Sequence, residues 1–154
     1  MKSSLIVLSL VLSCMLAAGA ALADLPERKP GPQNPNVEAG RKAIEAKDYK
    51  AAVDHLTKAV QELPNDADAQ SMLGYSYRKT GNFDKSLEHY QRALKLDTNH
   101  RSAHEYLGEL YLEMNQPGNA EKELAALKKA CPFFGKCEEY DDLKQAIEKY
   151  KTKK

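Results

Sequence analysis

The sequence predicts an all-α chain of stacked helix pairs, and three observations carry that prediction. Residues recur at a spacing of 34: Gly40, Gly74 and Gly108; Ala52, Ser86 and Ala120; Leu56, Tyr90 and Leu124. A fixed period of this length marks an array of repeated supersecondary units. Turn-forming pairs, Gly81-Asn82 and Pro117-Gly118, interrupt the apolar stretches. Trp is absent and aromatics make up 7% of the residues, as suits a core of Ala and Leu. A chain of 154 residues has room for one compact domain.

Ahead of the array the sequence has a different character. Lys2, the apolar run Leu5 to Leu12 and the small-residue site Ala21-Leu22-Ala23 predict a secretory signal peptide over 1–23, cleaved before Asp24. Gly19 and the alanines dilute the run, which is short for a membrane span. Leu12 fits a lipoprotein site poorly, and the residues after Cys14 stay apolar, so a lipidated Cys14 is not expected. Residues 24–36 hold four prolines in thirteen positions and read as an extended linker. Cleavage would remove Lys2 and Cys14, leaving basic and acidic residues in balance and one cysteine pair, Cys131 and Cys137. A pair in an exported chain reads as a disulfide.

The best unit spans 67–100. Leu73, Gly74 and Tyr77 punctuate its first helix, Gly81 and Phe83 its turn, and Ser86, Tyr90 and Ala93 its second helix. Small residues belong where helix backbones approach, and Tyr77, Phe83 and Tyr90 fill the wider gaps. This pattern resembles the tetratricopeptide repeat (TPR), with Gln70 where that family usually has Trp and Thr98 where it usually has Pro. The unit 101–134 keeps Leu107, Gly108, Tyr111, Ala120 and Pro132, but has Pro117 in place of an aromatic and Leu127 in place of Ala. The bulk of Leu127 is expected to push the following helix away. The unit 33–66 keeps Gly40, Ala43, Tyr49, Ala52, Leu56, Ala59 and Pro64; Ala39 and Ala43 make its first helix pack thinly.

Beyond the repeats, Tyr140, Leu143, Ile147 and Tyr150 share one face of a helix over 138–150, a cap for the array's last apolar surface. Residues 151–154 read as a frayed tail. The expected architecture is a right-handed α-α superhelix of three TPR helix pairs plus this capping helix. Cys131 and Cys137 flank the loop into the cap, where a disulfide would hold it. The cysteine pair followed by Glu138-Glu139-Tyr140 and an amphipathic helix resembles the tail of small exported bacterial TPR proteins.

Little in the sequence points to catalysis. The spacing of the cysteines and the absence of a βαβ pattern argue against a thiol–disulfide enzyme. No His lies near that loop in sequence to complete a zinc set. His55 and His89 occupy equivalent positions and read as helix-surface residues. His100 and His104 have the i,i+4 spacing of a helical metal pair, but no acidic ligand stands in an obvious register. No cofactor is implied. A net charge of +1 gives no basic footprint for nucleic acid.

The resemblance instead implies an inner groove lined by first-helix residues that accepts a peptide or a partner helix. By repeat position these are Arg41 and Ile44; Ser71, Tyr75, Arg78 and Lys79; and Glu105, Glu109, Leu112 and Glu113. The groove is expected to be basic at its centre and acidic toward the carboxyl end, unless opposite charges pair between repeats. Val37 and Arg41 stand where a dicarboxylate clamp would need Lys and Asn. The expected function is protein or peptide binding outside the cytoplasm, in the periplasm or as a secreted chain, without catalysis. The alternative is a structural protein of the cell envelope that self-associates, exposing the thin first unit to another copy.

Overall fold

A computed structural model describes residues 34–132 and 135–153. The expected signal peptide, the stretch 24–33, Phe133, Phe134 and Lys154 lie outside the described residues. The described chain is helical throughout: α1 (Pro35–Glu45), α2 (Tyr49–Glu62), α3 (Ala67–Lys79), α4 (Phe83–Leu96), α5 (Arg101–Glu113), α6 (Pro117–Ala130) and α7 (Glu138–Thr152).

Helix starts are set by side chains that satisfy the free amides of the first turn. Asp48 accepts from the Ala51 amide at 3.0 Å, and Asp66 from the Ala69 amide at 3.0 Å. Asn34 accepts from the amides of Asn36 and Val37. Pro35 follows it at the first helical position, where a missing N–H costs nothing. The first helix therefore begins two residues inside the stretch read as linker: proline bars a helix interior, not its first turn. At the other end α7 continues through Lys151 and Thr152, past the expected limit at Tyr150.

The turn within each pair is one repeated motif. Lys47, Gly81 and Asn115, again 34 apart, adopt left-handed backbone with φ of 59°, 78° and 58°. In each the left-handed residue's amide donates to the carbonyl three back (Ile44, Arg78, Leu112), and the next amide to the carbonyl five back (Ala43, Tyr77, Tyr111). This double bond is the Schellman ending of a helix. Only the middle repeat meets its backbone demand with glycine.

Packing within a pair depends on a glycine facing a large side chain. A Cβ on Gly40 would fall 2.5 Å from Leu56 Cγ, and one on Gly74 2.8 Å from Tyr90 Cδ1. The Ser86 hydroxyl donates to the Gly74 carbonyl at 2.8 Å across the same interface. In the third pair the register differs. Gly108 faces Leu143 of α7, at 2.5 Å from a would-be Cβ, and not Leu124 of α6, which stands at the repeat position of Leu56 and Tyr90. The cap thus seats its own leucine against α5. Leu127 does not push α7 away: it is fully buried in one cluster with Ala120, Leu143 and Ile147. The Tyr150 hydroxyl donates to the Asn115 side chain, fastening the end of α7 to the α5–α6 turn.

Helices α1, α3, α5 and α7 touch one another in sequence, whereas α2, α4 and α6 touch only their chain neighbours. The first-helix row is therefore the inner face of the array, with α7 as its last member.

Candidate functional site

Two polar pairs brace the helix pairs behind the inner face. Gln70, fully buried, donates from Nε2 to the Pro64 carbonyl and accepts at Oε1 from His89 Nδ1, 2.7 Å away. His89 is half-buried and stacks on Tyr77 at 5.5 Å, so it is not the surface histidine that its helical position suggests. Burial, with Arg92 and Lys85 nearby, lowers its pKa despite Glu88. One repeat on, His104 pairs with Glu123 across the same 19-residue separation. His104 Nδ1 lies 2.7 Å from Glu123 and Nε2 lies 3.1 Å from the Thr98 carbonyl. Thr98 and an ionised Glu123 both accept, an arrangement that favours the protonated ring. Burial alone would lower its pKa, but the Glu123 and Thr98 hydrogen bonds and the charges of Glu123 and Asp97 raise it.

His100 plays a third part. Its Nδ1 accepts from the Ala103 amide, capping α5, so Nε2 carries the proton and donates to Asp68 at 3.1 Å. His100 and His104 are thus committed to separate structural bonds. No cluster of three His, Cys, Asp or Glu side chains among the described residues could hold a metal ion.

The inner face itself is organised around Arg78, whose side chain is 3% exposed. It lies between the Tyr75 and Tyr106 rings, with centroids 5.6 and 5.8 Å from the guanidinium carbon. Its Nη1 makes ion-pair contacts with Glu109 at 2.5 Å and Glu113 at 3.7 Å. Burial alone would lower its pKa, but Tyr90, Glu109 and Glu113 raise it. The expected basic centre is therefore corrected: Arg78 is not offered to a ligand, and the opposite charges pair between repeats. Aliphatic spacing could not show this, because the paired carboxylates are 31 and 35 residues away.

On one side of this core a cavity of about 350 Å³ opens between α1, α3 and α5. It is lined by the predicted Arg41, Ile44, Ser71 and Tyr75, together with Met72 and Tyr106 among others. Tyr49, Tyr75 and Tyr106 form an aromatic run, with centroids 6.0 and then 4.9 Å apart. Burial and the neighbouring Tyr49 push the Tyr75 pKa up to about 12, so its hydroxyl stays protonated. Lys79, exposed, lies over the Tyr75 ring at 5.2 Å. Arg41 is half-exposed and pairs with Glu38 at 3.5 Å.

On the other side a second cavity, about 630 Å³, opens between α5 and α7. The predicted Glu105 and Glu109 line it with Asp142, Glu148 and Lys149. Positions 102 and 106 face the first cavity and 105 and 109 the second, because neighbours such as 105 and 106 lie about 100° apart around the helix. Leu112 lines neither; it packs, half-buried, against the cluster of Ala120, Leu127, Leu143 and Ile147. Tyr106 stands one residue after Glu105 and so turns away from the acidic residues toward Ser71 and Tyr75, a placement that the spacing of the acidic positions alone does not indicate.

Cys131 and Cys137 are joined through their sulfurs, with Cα atoms 5.8 Å apart. No described helix is long and apolar enough to cross a membrane.

This arrangement defines a class: a helical repeat array with one groove-bearing inner face. Family models described as TPR repeat and Tetratricopeptide repeat match residues 74–115 and 43–88. Residues 43–115 thus match tetratricopeptide repeats, a fold that generally serves as a protein–protein interaction module. The TPR domain of Sgt2 from Aspergillus fumigatus is similar at 24% identity and a TM-score of 0.67, over 77% of this chain and 76% of that one. The TPR2B domain of yeast Sti1, solved in complex with pHsp70, gives 17% and 0.69, over 77% and 98%. MamA (41-end) from Desulfovibrio magneticus RS-1 gives 25% and 0.60, over 62% of this chain and 54% of that one. The first two likenesses speak to the fold alone.

Proposed function

We propose that this protein is a non-catalytic adaptor that holds a peptide segment or a partner helix against its inner face. The observation that carries the reading is the cavity floored by Tyr75, Tyr106, Met72 and Ile44. It offers aromatic and aliphatic area with few side chains left to order on binding, because Arg78 already fixes both tyrosines. The TPR2B domain of yeast Sti1, solved in complex with pHsp70, supports the binding of a partner by this fold.

We further propose that the chain works outside the cytoplasm, after cleavage following Ala23, with Cys131–Cys137 oxidised. The supporting features are the charge, apolar run and small-residue order of residues 1–23 and the cysteine pair, which would persist in an oxidising compartment. Amino-terminal sequencing of the native protein checks the cleavage, and intact mass with and without reductant checks the bond.

The binding reading is tested by affinity capture from a native envelope extract, comparing the mature chain with a Tyr75→Ala, Lys79→Ala variant. Arg78 is left intact because its loss would disturb the fold. A partner held by the native chain and lost by the folded variant supports the adaptor. Equal capture by both would contradict the assignment of the inner face, and capture of only further copies of the chain would favour self-association.

A further inference from the structure

The second cavity carries an observation that the adaptor reading does not use. Glu105 is 9% exposed, yet among the described residues none forms a hydrogen bond or ion pair with its carboxyl. The charges acting on it from its own helix and from α7 are those of Glu109, Asp142 and Glu139, all negative. The one cation acting on it from α3, Arg78, is already committed to Glu109 and Glu113. Glu139 is taken by Arg101 at 3.6 Å. Lys149 at the rim is outnumbered by Glu105, Glu109, Asp142 and Glu148 around the same space. A buried carboxyl facing like charges is costly unless a cation arrives to pair with it. A metal ion does not suit the place, since no three donor side chains among the described residues converge. An ammonium or guanidinium group on a side-chain stem does suit it, because the space is about 630 Å³ and opens beside the groove.

We propose that the cavity between α5 and α7 receives a lysine or arginine side chain of the bound partner, with Glu105 and Asp142 as its counter-charges. The inference rests on the adaptor reading and adds a chemical class to it: a segment that places an apolar residue on Tyr75 and Tyr106 and a basic one beyond α5. Burial and the surrounding carboxylates push the Glu105 pKa up to about 8, against the pull of Arg78. Near neutral pH the Glu105 carboxyl is therefore largely protonated, and taking up a cation expels that proton. Affinity then rises with pH, approaching tenfold per unit below pH 8.

The test is titration of the mature chain with N-acetyl-arginine amide, followed by amide shifts in two-dimensional NMR from pH 6.5 to 8.5. N-acetyl-norleucine amide and N-acetyl-glutamine amide serve as uncharged probes. The expected result is saturable shifts at Glu105, Asp142 and Gln145 with arginine alone, tightening as pH rises and weakening in high salt. Glu105→Gln should fold with an equal or higher melting temperature, weaken the arginine probe at least fivefold at pH 8 and remove the pH dependence. Equal shifts with all three probes, or unchanged binding in Glu105→Gln, would overturn the proposal. So would shifts at Glu105 on deleting Lys153 and Lys154 without any probe, which would make the chain's own tail the occupant. If the probe fails while the capture experiment succeeds, the pocket falls and the adaptor stands; the opposite pattern leaves the pocket and sinks the adaptor.

Discussion

Replacing Gly74 with Ala tests the packing that shapes the inner face. The middle of a helix ordinarily gains about 1 kcal/mol from this change. Here the new Cβ would lie 2.8 Å from Tyr90 Cδ1 and 2.9 Å from Cε1. Tyr90 is fully buried, and its ring packs in one cluster with Leu107 and Leu110, so it cannot swing aside as the tip of an exposed chain would. Relief has to come from parting α3 and α4, at an overpacking cost of about 1–3 kcal/mol. Parting them also stretches the buried Ser86–Gly74 hydrogen bond, worth about 1 kcal/mol. The balance is a net loss of roughly 1–3 kcal/mol, or about 4–12 °C in Tm for a domain of this size. Thermal melting followed by circular dichroism reads it directly. Gly118→Ala is the control, because nothing lies within 4 Å of its would-be Cβ, and it should melt at or slightly above the wild-type temperature. A Gly74→Ala protein as stable as the wild type would refute the claim that this contact sets the spacing of the two helices.

Four further outcomes follow from the same geometry. The raised pKa of His104 contributes stability that is complete below its unfolded value near 6.5 and is lost as pH rises through the folded value. Urea midpoints should therefore fall from pH 6 upward, and His104→Gln should remove that part of the slope. Arg78→Ala strands Glu109 and Glu113 beside a buried gap and should cost about 2–4 kcal/mol in urea unfolding, less than a fully buried pair because both carboxylates are partly exposed. Lys47→Gly relieves a left-handed backbone and should stabilise by about 0.5–1 kcal/mol, whereas the same change at Lys50, inside α2, should destabilise. Reducing Cys131–Cys137, or changing both to Ser, opens a short loop and should cost about 2 kcal/mol, seen as an earlier melt of the native protein.

The repeat spacing made the helix pairs legible because it reflects a rule imposed on every unit: a small residue where helices meet and a large one opposite. Gly74 with Tyr90 and Gly40 with Leu56 follow it. Gly108 departs from it, since Leu143 of α7, and not Leu124 of α6, supplies the atoms nearest its would-be Cβ. The same register could have revealed the polar braces: Gln70 and His104 are equivalent positions, as are His89 and Glu123, and all four can form hydrogen bonds. What periodicity could not reveal was the fate of charge. Arg78 and Lys79 are adjacent in sequence and were read alike, but one residue's step around α3 leaves Lys79 exposed and puts Arg78 between two rings and two carboxylates. Exposure on a curved array depends on the neighbouring repeat, which sequence spacing does not specify. Likewise Glu105 and Asp142 come together only because α7 folds back along α5.

The central claim, that a partner lies against the first-helix face, is tested most directly by site-specific photo-cross-linking in the native extract. A photoreactive phenylalanine replaces Arg41, exposed at the edge of the first cavity, and separately Glu88, exposed on α4. The account predicts a discrete cross-linked partner from position 41, lost when Tyr75→Ala is added, and none from position 88. Cross-links from position 88 with none from position 41 would contradict it.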